Sequence, residues 1–148
     1  MKFIYVLTLS VLLLACASKK TGETTYAGTS ESGTIILNAS GYGLLKATAI
    51  ENAEMNAFNN LIFRGIPGSQ YQLPMIENEQ KAKSEHAEYF DKLLVQKKYK
   101  AFLLSTVSES DLNLNLSKQK TISVGLKINV NALRRDMEQN GVLRKFGM

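Results

Sequence analysis

The sequence predicts a single α+β domain in which helices cover one face of a largely antiparallel sheet, and three observations lead there. Ile122, Val124, Leu126, Ile128 and Val130 alternate with polar or small residues over nine positions, the period of a strand with one face in a core and one in water. Ile50, Ala53, Ala57, Phe58, Leu61 and Ile62 recur at helical spacing. The 148-residue chain holds one cysteine, so neither a disulfide nor a cysteine-rich zinc site staples it, and its stability must come from a packed core of ordinary size.

Taken in order, residues 1–15, MKFIYVLTLSVLLLA, have the parts of an export signal: Lys2, an apolar stretch from Phe3 to Leu14, and a small Ala15. The apolar stretch falls well short of the roughly 20 residues that span a bilayer, so it reads as a removable signal. Residues 16–33, CASKKTGETTYAGTSESG, are glycine, serine, threonine and charge with Tyr26 as the only large apolar side chain. That composition cannot bury enough surface to offset ordering, and it predicts a tether with a reach of roughly 23 Å. The folded domain is expected over residues 34–148.

Within that domain, TIILNAS from Thr34 predicts a strand, and the glycines at 41 and 43 its turn. The alanine-faced helix follows and should stop near Arg64, before Gly65, Pro67 and Gly68. GSQYQLPMI, 68–76, reads as a short edge strand, because Pro74 keeps it out of a sheet centre. ENEQKAKSEHAEYFDKLLVQKK reads as a second continuous helix, with Ala82, Tyr89, Phe90, Leu93 and Leu94 buried and Glu77–Lys81, Glu79–Lys83 and Glu88–Lys92 as i,i+4 pairs on its wet face. YKAFLLSTVSE predicts a strand from Tyr99. After the alternating strand, Asn131 is expected to cap a last helix that ends at Gly141.

Few residues suggest chemistry. GYGLLK, 41–46, lies between a strand and a helix, but Lys46 stands where a dinucleotide-binding turn needs a small residue, so a tight turn is the simpler reading. His86 is the only histidine and sits near the apolar face of the second helix, a core-edge position. Serines 105, 108, 110 and 117 fit no nucleophile elbow. Glu51 with Glu54 and Glu85 with Glu88 are carboxylate pairs at i,i+3 that fall on polar helix faces. No catalytic constellation emerges, and no cofactor, metal or nucleic acid is expected; the net charge of +5 is mild and suits an anionic membrane surface better than a clustered nucleic-acid footprint.

Leu13, Leu14, Ala15 and Cys16 close the apolar run, and here the chain resembles bacterial lipoprotein precursors, whose lipobox ends in a small residue and a lipidated cysteine. The resemblance implies cleavage before Cys16, a diacylglyceryl group on its sulfur and an acylated new amino terminus. Three acyl chains would hold the protein on a membrane, since one alone anchors only marginally. An ordinary secretory signal with Cys16 beside the cut is the competing reading. The SGYG turn before the alanine-spaced helix, with VGLKINVN running into a terminal helix, is similar to small membrane-associated lipoproteins of the twenty-kilodalton family and to the N-terminal domain of flagellar assembly protein T. That implies a non-enzymatic α+β module serving an envelope assembly of secretion or motility type, with a protein partner; the lipid anchor is expected at the outer membrane rather than the inner.

Two further expectations concern surfaces. Val142, Leu143, Arg144, Lys145 and Phe146 form an apolar, basic C-terminal stretch that either folds back on the domain or contacts a partner. Tyr71, Tyr89, Phe90 and Tyr99 would line a pocket if the protein instead bound a small ligand, glycan or lipid.

Overall fold

The computed structural model describes residues 22–109, the backbone of 113–114, and residues 120–144. In chain order the elements are β1 (Thr24–Gly28), β2 (Thr34–Tyr42), α1 (Lys46–Phe63), α2 (Glu79–Glu85), α3 (Ala87–Phe90), a π turn (Asp91–Val95), a 3₁₀ turn (Lys98–Phe102), β3 (Leu103–Ser108), β4 (Asn113–Leu114), β5 (Lys120–Asn129) and α4 (Val130–Gln139). All strand pairs are antiparallel. The sheet runs β1-β2-β5-β3, with β4 beside the start of β5 on the β3 side. The chain is thus the single α+β domain the patterning predicts.

Alternation decides the layering. Ile35, Leu37 and Ala39 of β2 and Ile122, Val124, Leu126 and Ile128 of β5 are buried, while Asn38, Ser40, Ser123, Gly125 and Lys127 point the other way. Only the first set meets helices. Helix α1 lays Ala49, Ala53, Ala57 and Leu61, one i+4 row, toward this face, and the short alanines let its backbone come close. At Gly41 the approach is closest: a Cβ there would overlap the carbonyl oxygen of Ala49. The adjacent row adds Phe58 and Ile62, with Phe58 against Tyr99 at 5.1 Å between ring centres and Phe63 against Phe90 at 5.4 Å.

A third row on α1 is polar. Asn52 Oδ1 accepts from the Tyr42 N–H, Asn56 Nδ2 donates to the Ser40 carbonyl, and Asn60 Nδ2 donates to Thr24 Oγ1 and the Gly22 carbonyl. The Asn52 and Asn56 bonds hold the end of β2, and those of Asn60 clip β1 to the domain without apolar burial. The tether expected over 16–33 is corrected accordingly: Thr24–Gly28 is an edge strand paired with Gly28 to Thr24 against Ile36 to Ala39, and the domain reaches back at least to Gly22. Residues 16–21, including Cys16, lie outside the described residues.

Other expectations are corrected too. Residues 68–76 form turns, not an edge strand; Gly65 closes α1 in the left-handed region at φ +75°, Ile66 N–H bonds the Tyr71 carbonyl, and Ile76 N–H returns to Ile62. The second helix is broken at His86 (φ −123°, ψ 41°) and widens into the π turn; Ala82, Phe90, Leu93 and Leu94 are buried as predicted and Tyr89 half so. Lys83–Glu79 and Lys92–Glu88 pair at 2.7 and 2.6 Å, but Lys81 pairs with Glu85, because α2 begins only after Asn78. The segment from Tyr99 starts as a 3₁₀ turn that buries Tyr99 and Phe102 and becomes strand only at Leu103. The strand from Thr34 continues through Gly41 to Tyr42, and the cap of the last helix is Asn129, whose Oδ1 accepts from Ala132 N–H, two residues before Asn131. That helix does end at Gly141, at φ +71°, with Val142 N–H to the Met137 carbonyl and Gly141 N–H to the Glu138 carbonyl, a Schellman closure.

Candidate functional site

Three places on the described surface gather polar or reactive side chains. The first is a carboxylate cluster on α1. Glu51, partly exposed, accepts from Lys97 Nζ at 2.8 Å and Lys100 Nζ at 3.1 Å, and these bonds, Lys97 first, hold its carboxyl below the usual range. Glu54 is 5% exposed. Its Oε1 accepts from Thr106 Oγ1 of β3 at 2.9 Å and its Oε2 faces Tyr99 OH at 3.4 Å and Lys100 Nζ at 3.9 Å. The expectation that both carboxylates lie on a polar face is therefore wrong for Glu54: the i+4 row Ile50, Glu54, Phe58, Ile62 passes through it. A buried carboxylate is costly unless hydrogen-bonded, and these partners tie α1, the 3₁₀ turn and β3 together. Lys97 itself sits in the left-handed region at φ 62°.

The second place follows from the helix break. His86 and Ala87 leave a cleft of about 330 Å³ bordered by Glu85, Glu88, Tyr89, Lys92, Lys98 and Asn140. Behind it Asp136 accepts from Tyr89 OH and Lys98 Nζ, both at 2.8 Å. Each lysine of the cleft faces a carboxylate of the chain itself, Lys92 with Glu88 and Lys98 with Asp136, so the cleft offers no surplus charge to an ionic ligand. Of the aromatic residues expected to share a pocket, only Tyr89 borders it. Phe90 and Tyr99 are buried in the core, and Tyr71 lies against that core from the turn region.

Burial, followed by the neighbouring Asp136, raises the Tyr89 phenol far above its ordinary value, and burial followed by Glu54 does the same for Tyr99. An acid raised in the folded state stabilises the fold fully below its unfolded value, near pH 10, and loses that contribution as pH rises past it, because unfolded phenols release protons that folded ones keep. Alkaline unfolding should therefore set in above about pH 10, with phenolate absorbance from Tyr89 and Tyr99 appearing only as circular dichroism is lost. The Tyr89→Phe/Tyr99→Phe protein should lose stability less steeply there. Full titration of every tyrosine in a still-native protein would contradict this.

The third place is the C-terminal stretch. Val142 and Leu143 lie partly buried against the core and donate their N–H groups to the Met137 carbonyl at 2.9 and 3.3 Å, so this part folds back on the domain. Arg144 is exposed; Lys145 and Phe146 lie outside the described residues. In GYGLLK, Gly41 is strand and Thr48 Oγ1 folds back on Leu45, 2.8 Å from its carbonyl oxygen and 3.3 Å from its N–H, a closed turn in place of a phosphate cradle.

Among the described residues, no three His, Cys, Asp or Glu side chains gather as a metal site would require, and no helix is long and apolar enough to cross a membrane. The class defined by the fold is a two-layer α+β domain with one sheet face left uncovered by the described helices. No family model, no curated protein and no solved structure matches the chain.

Proposed function

We propose that the chain is a bacterial lipoprotein, anchored to a membrane through Cys16, that serves as a non-enzymatic structural or adaptor component of a cell-envelope assembly of secretion or motility type, at the outer membrane. The observation that carries this is Leu13-Leu14-Ala15-Cys16 at the end of the chain's long apolar run, six residues before a folded domain begins. The adaptor role draws support from β3. LLSTVS is a sheet-edge strand with neither charge nor proline, and Leu104 and Val107 on it are 51% and 62% exposed. Edge strands are usually guarded by such residues or by bulges; β3 has a register shift between Leu103 and Ser105, and the regular stretch from Ser105 to Ser108 suits β-strand addition by a partner.

Cys16→Ser should abolish incorporation of labelled fatty acid and release the protein from membranes. Crosslinking in intact cells should recover one defined set of envelope proteins with the wild type, and lose it with Leu104→Lys/Val107→Lys. Continued fatty-acid labelling of Cys16→Ser would end the anchoring account. Recovery of the same set with the edge variant would end the β3 account.

A further inference from the structure

The turn between β2 and α1 breaks local rules without any internal gain. Leu45 occupies the cap position of α1, where Ser, Thr, Asp or Asn is preferred, and it is 67% exposed; Leu44 before it is 84% exposed. A hydrophobic residue at Leu44's position commonly folds onto the first turn of the helix, but this one stands in solvent. Two adjacent leucines that contribute nothing to the core are the kind of local violation that marks function.

Where the turn lies gives it an occupant. Thr24 pairs with Ala39 and Ser40 N–H bonds the Glu23 carbonyl, so the chain coming from Cys16 enters the sheet beside Ser40, at the same end as Leu44 and Leu45. From Cys16 to Gly22 is six residue steps, at most about 20 Å when fully extended. A membrane that holds the acyl chains of Cys16 is therefore within reach of this end of the sheet, whereas the opposite end, the turn at residues 29–33, lies a further 27 Å or so away along nine-residue β2. The near end carries mixed charge: Lys46 begins α1, Lys120, whose carbonyl accepts from Gly43 N–H, begins β5, and the exposed Glu23 lies beside Ser40. Lys19 and Lys20 fall in the connecting chain itself. Glu109, just after β3, is turned toward Gly125 on the open sheet face.

We infer that Leu44 and Leu45, with Lys120 beside them, form a membrane-facing tip that enters the interface of a lipid surface and orients the anchored domain. The leucines supply apolar contact and Lys120 a cation at headgroup level, a combination that binds interfaces. The tip holds the sheet upright, so that the residue 29–33 turn faces away from the lipid and the β3 edge stands to the side, open to a partner. This inference rests on the lipoprotein reading.

The test uses the full chain recovered from membranes and reconstituted in vesicles of phosphatidylethanolamine and phosphatidylglycerol. If Cys16 is acylated, the wild type takes up no thiol dye, and Leu44→Cys or Ser32→Cys takes up one. The environment-sensitive dye at position 44 should be quenched several-fold more strongly by spin-labelled lipid than the dye at position 32, and Lys120→Glu should reduce the difference. Leu44→Ser/Leu45→Ser should keep the wild-type melting temperature, since both side chains are exposed, and should lose the preferred orientation. Wild-type protein that takes up dye ends the anchor and the tip with it. Acylated protein in which positions 44 and 32 are quenched equally ends the tip alone and leaves the anchor standing.

Discussion

Replacing Leu126 by aspartate should remove about 4 kcal/mol or more of stability and, in a domain whose total is about 5–15 kcal/mol, leave little cooperative folding. Leu126 is fully buried on β5, between Leu37 of β2 and Thr106 of β3. A carboxylate there has no donor waiting for it, unlike Glu54, which Thr106 already serves. Its chain neighbour gives the control: Lys127 points to the uncovered face and pairs with Glu31 at 3.5 Å, so Lys127→Asp should cost no more than about 1 kcal/mol. Chemical denaturation of both variants checks the layering. Equal losses would mean that the sheet face has been assigned to the wrong side.

Gly41→Ala should also be severe, at about 3 kcal/mol, for a reason of distance alone. The added Cβ would overlap the Ala49 carbonyl and crowd Ala53, both on α1, and backbone cannot step aside as a side-chain tip can. Helix and sheet would have to separate along the whole alanine row. Gly125→Ala, in the partner strand but on the open face, meets the end of the Glu109 side chain at 3.2 Å and Asn38 Oδ1 at an ordinary 3.9 Å and should stay within about 0.5 kcal/mol of wild type. Similar melting temperatures for the two variants would contradict the close approach of α1.

What could be read from the sequence follows from where burial is apolar. Strand β5 and helix α1 declare themselves, because each buries a periodic set of large or small hydrophobic residues. Strand β1 does not: TTYAG carries no such set, and it is held by backbone pairing and by Asn60 of α1. The spacing of Asn52, Asn56 and Asn60 was the visible signal, an i+4 polar row on a helix that otherwise faces core. Glu54 is a similar case, since its place between Ile50 and Phe58 marks burial while its chemistry suggests exposure. The break at His86 had no local signal. Neither glycine nor proline is present, and it arises where α2 must turn so that Phe90 reaches Phe63 and Tyr89 reaches Asp136. The segment at 68–76 read as strand because of its apolar residues, yet its backbone bonds return to Ile62 and Ile66 as turns.

The site was less legible than the fold. Leu44 and Leu45 in sequence look like the start of an apolar helix face, and only their exposure, with the register that brings the chain from Cys16 to the same end of the sheet, separates them from core. The aromatic residues misled in the opposite sense: Tyr99 and Phe90 complete the core, leaving Tyr89 alone at the cleft. The central claim, that a membrane holds this domain by its sixteenth residue, has a direct measurement in mass spectrometry of the amino-terminal peptide of protein recovered from membranes. The account predicts a peptide that begins at Cys16 and carries acyl chains on both the sulfur and the new amino group. An unmodified Cys16, or a mature chain that begins elsewhere, would contradict it.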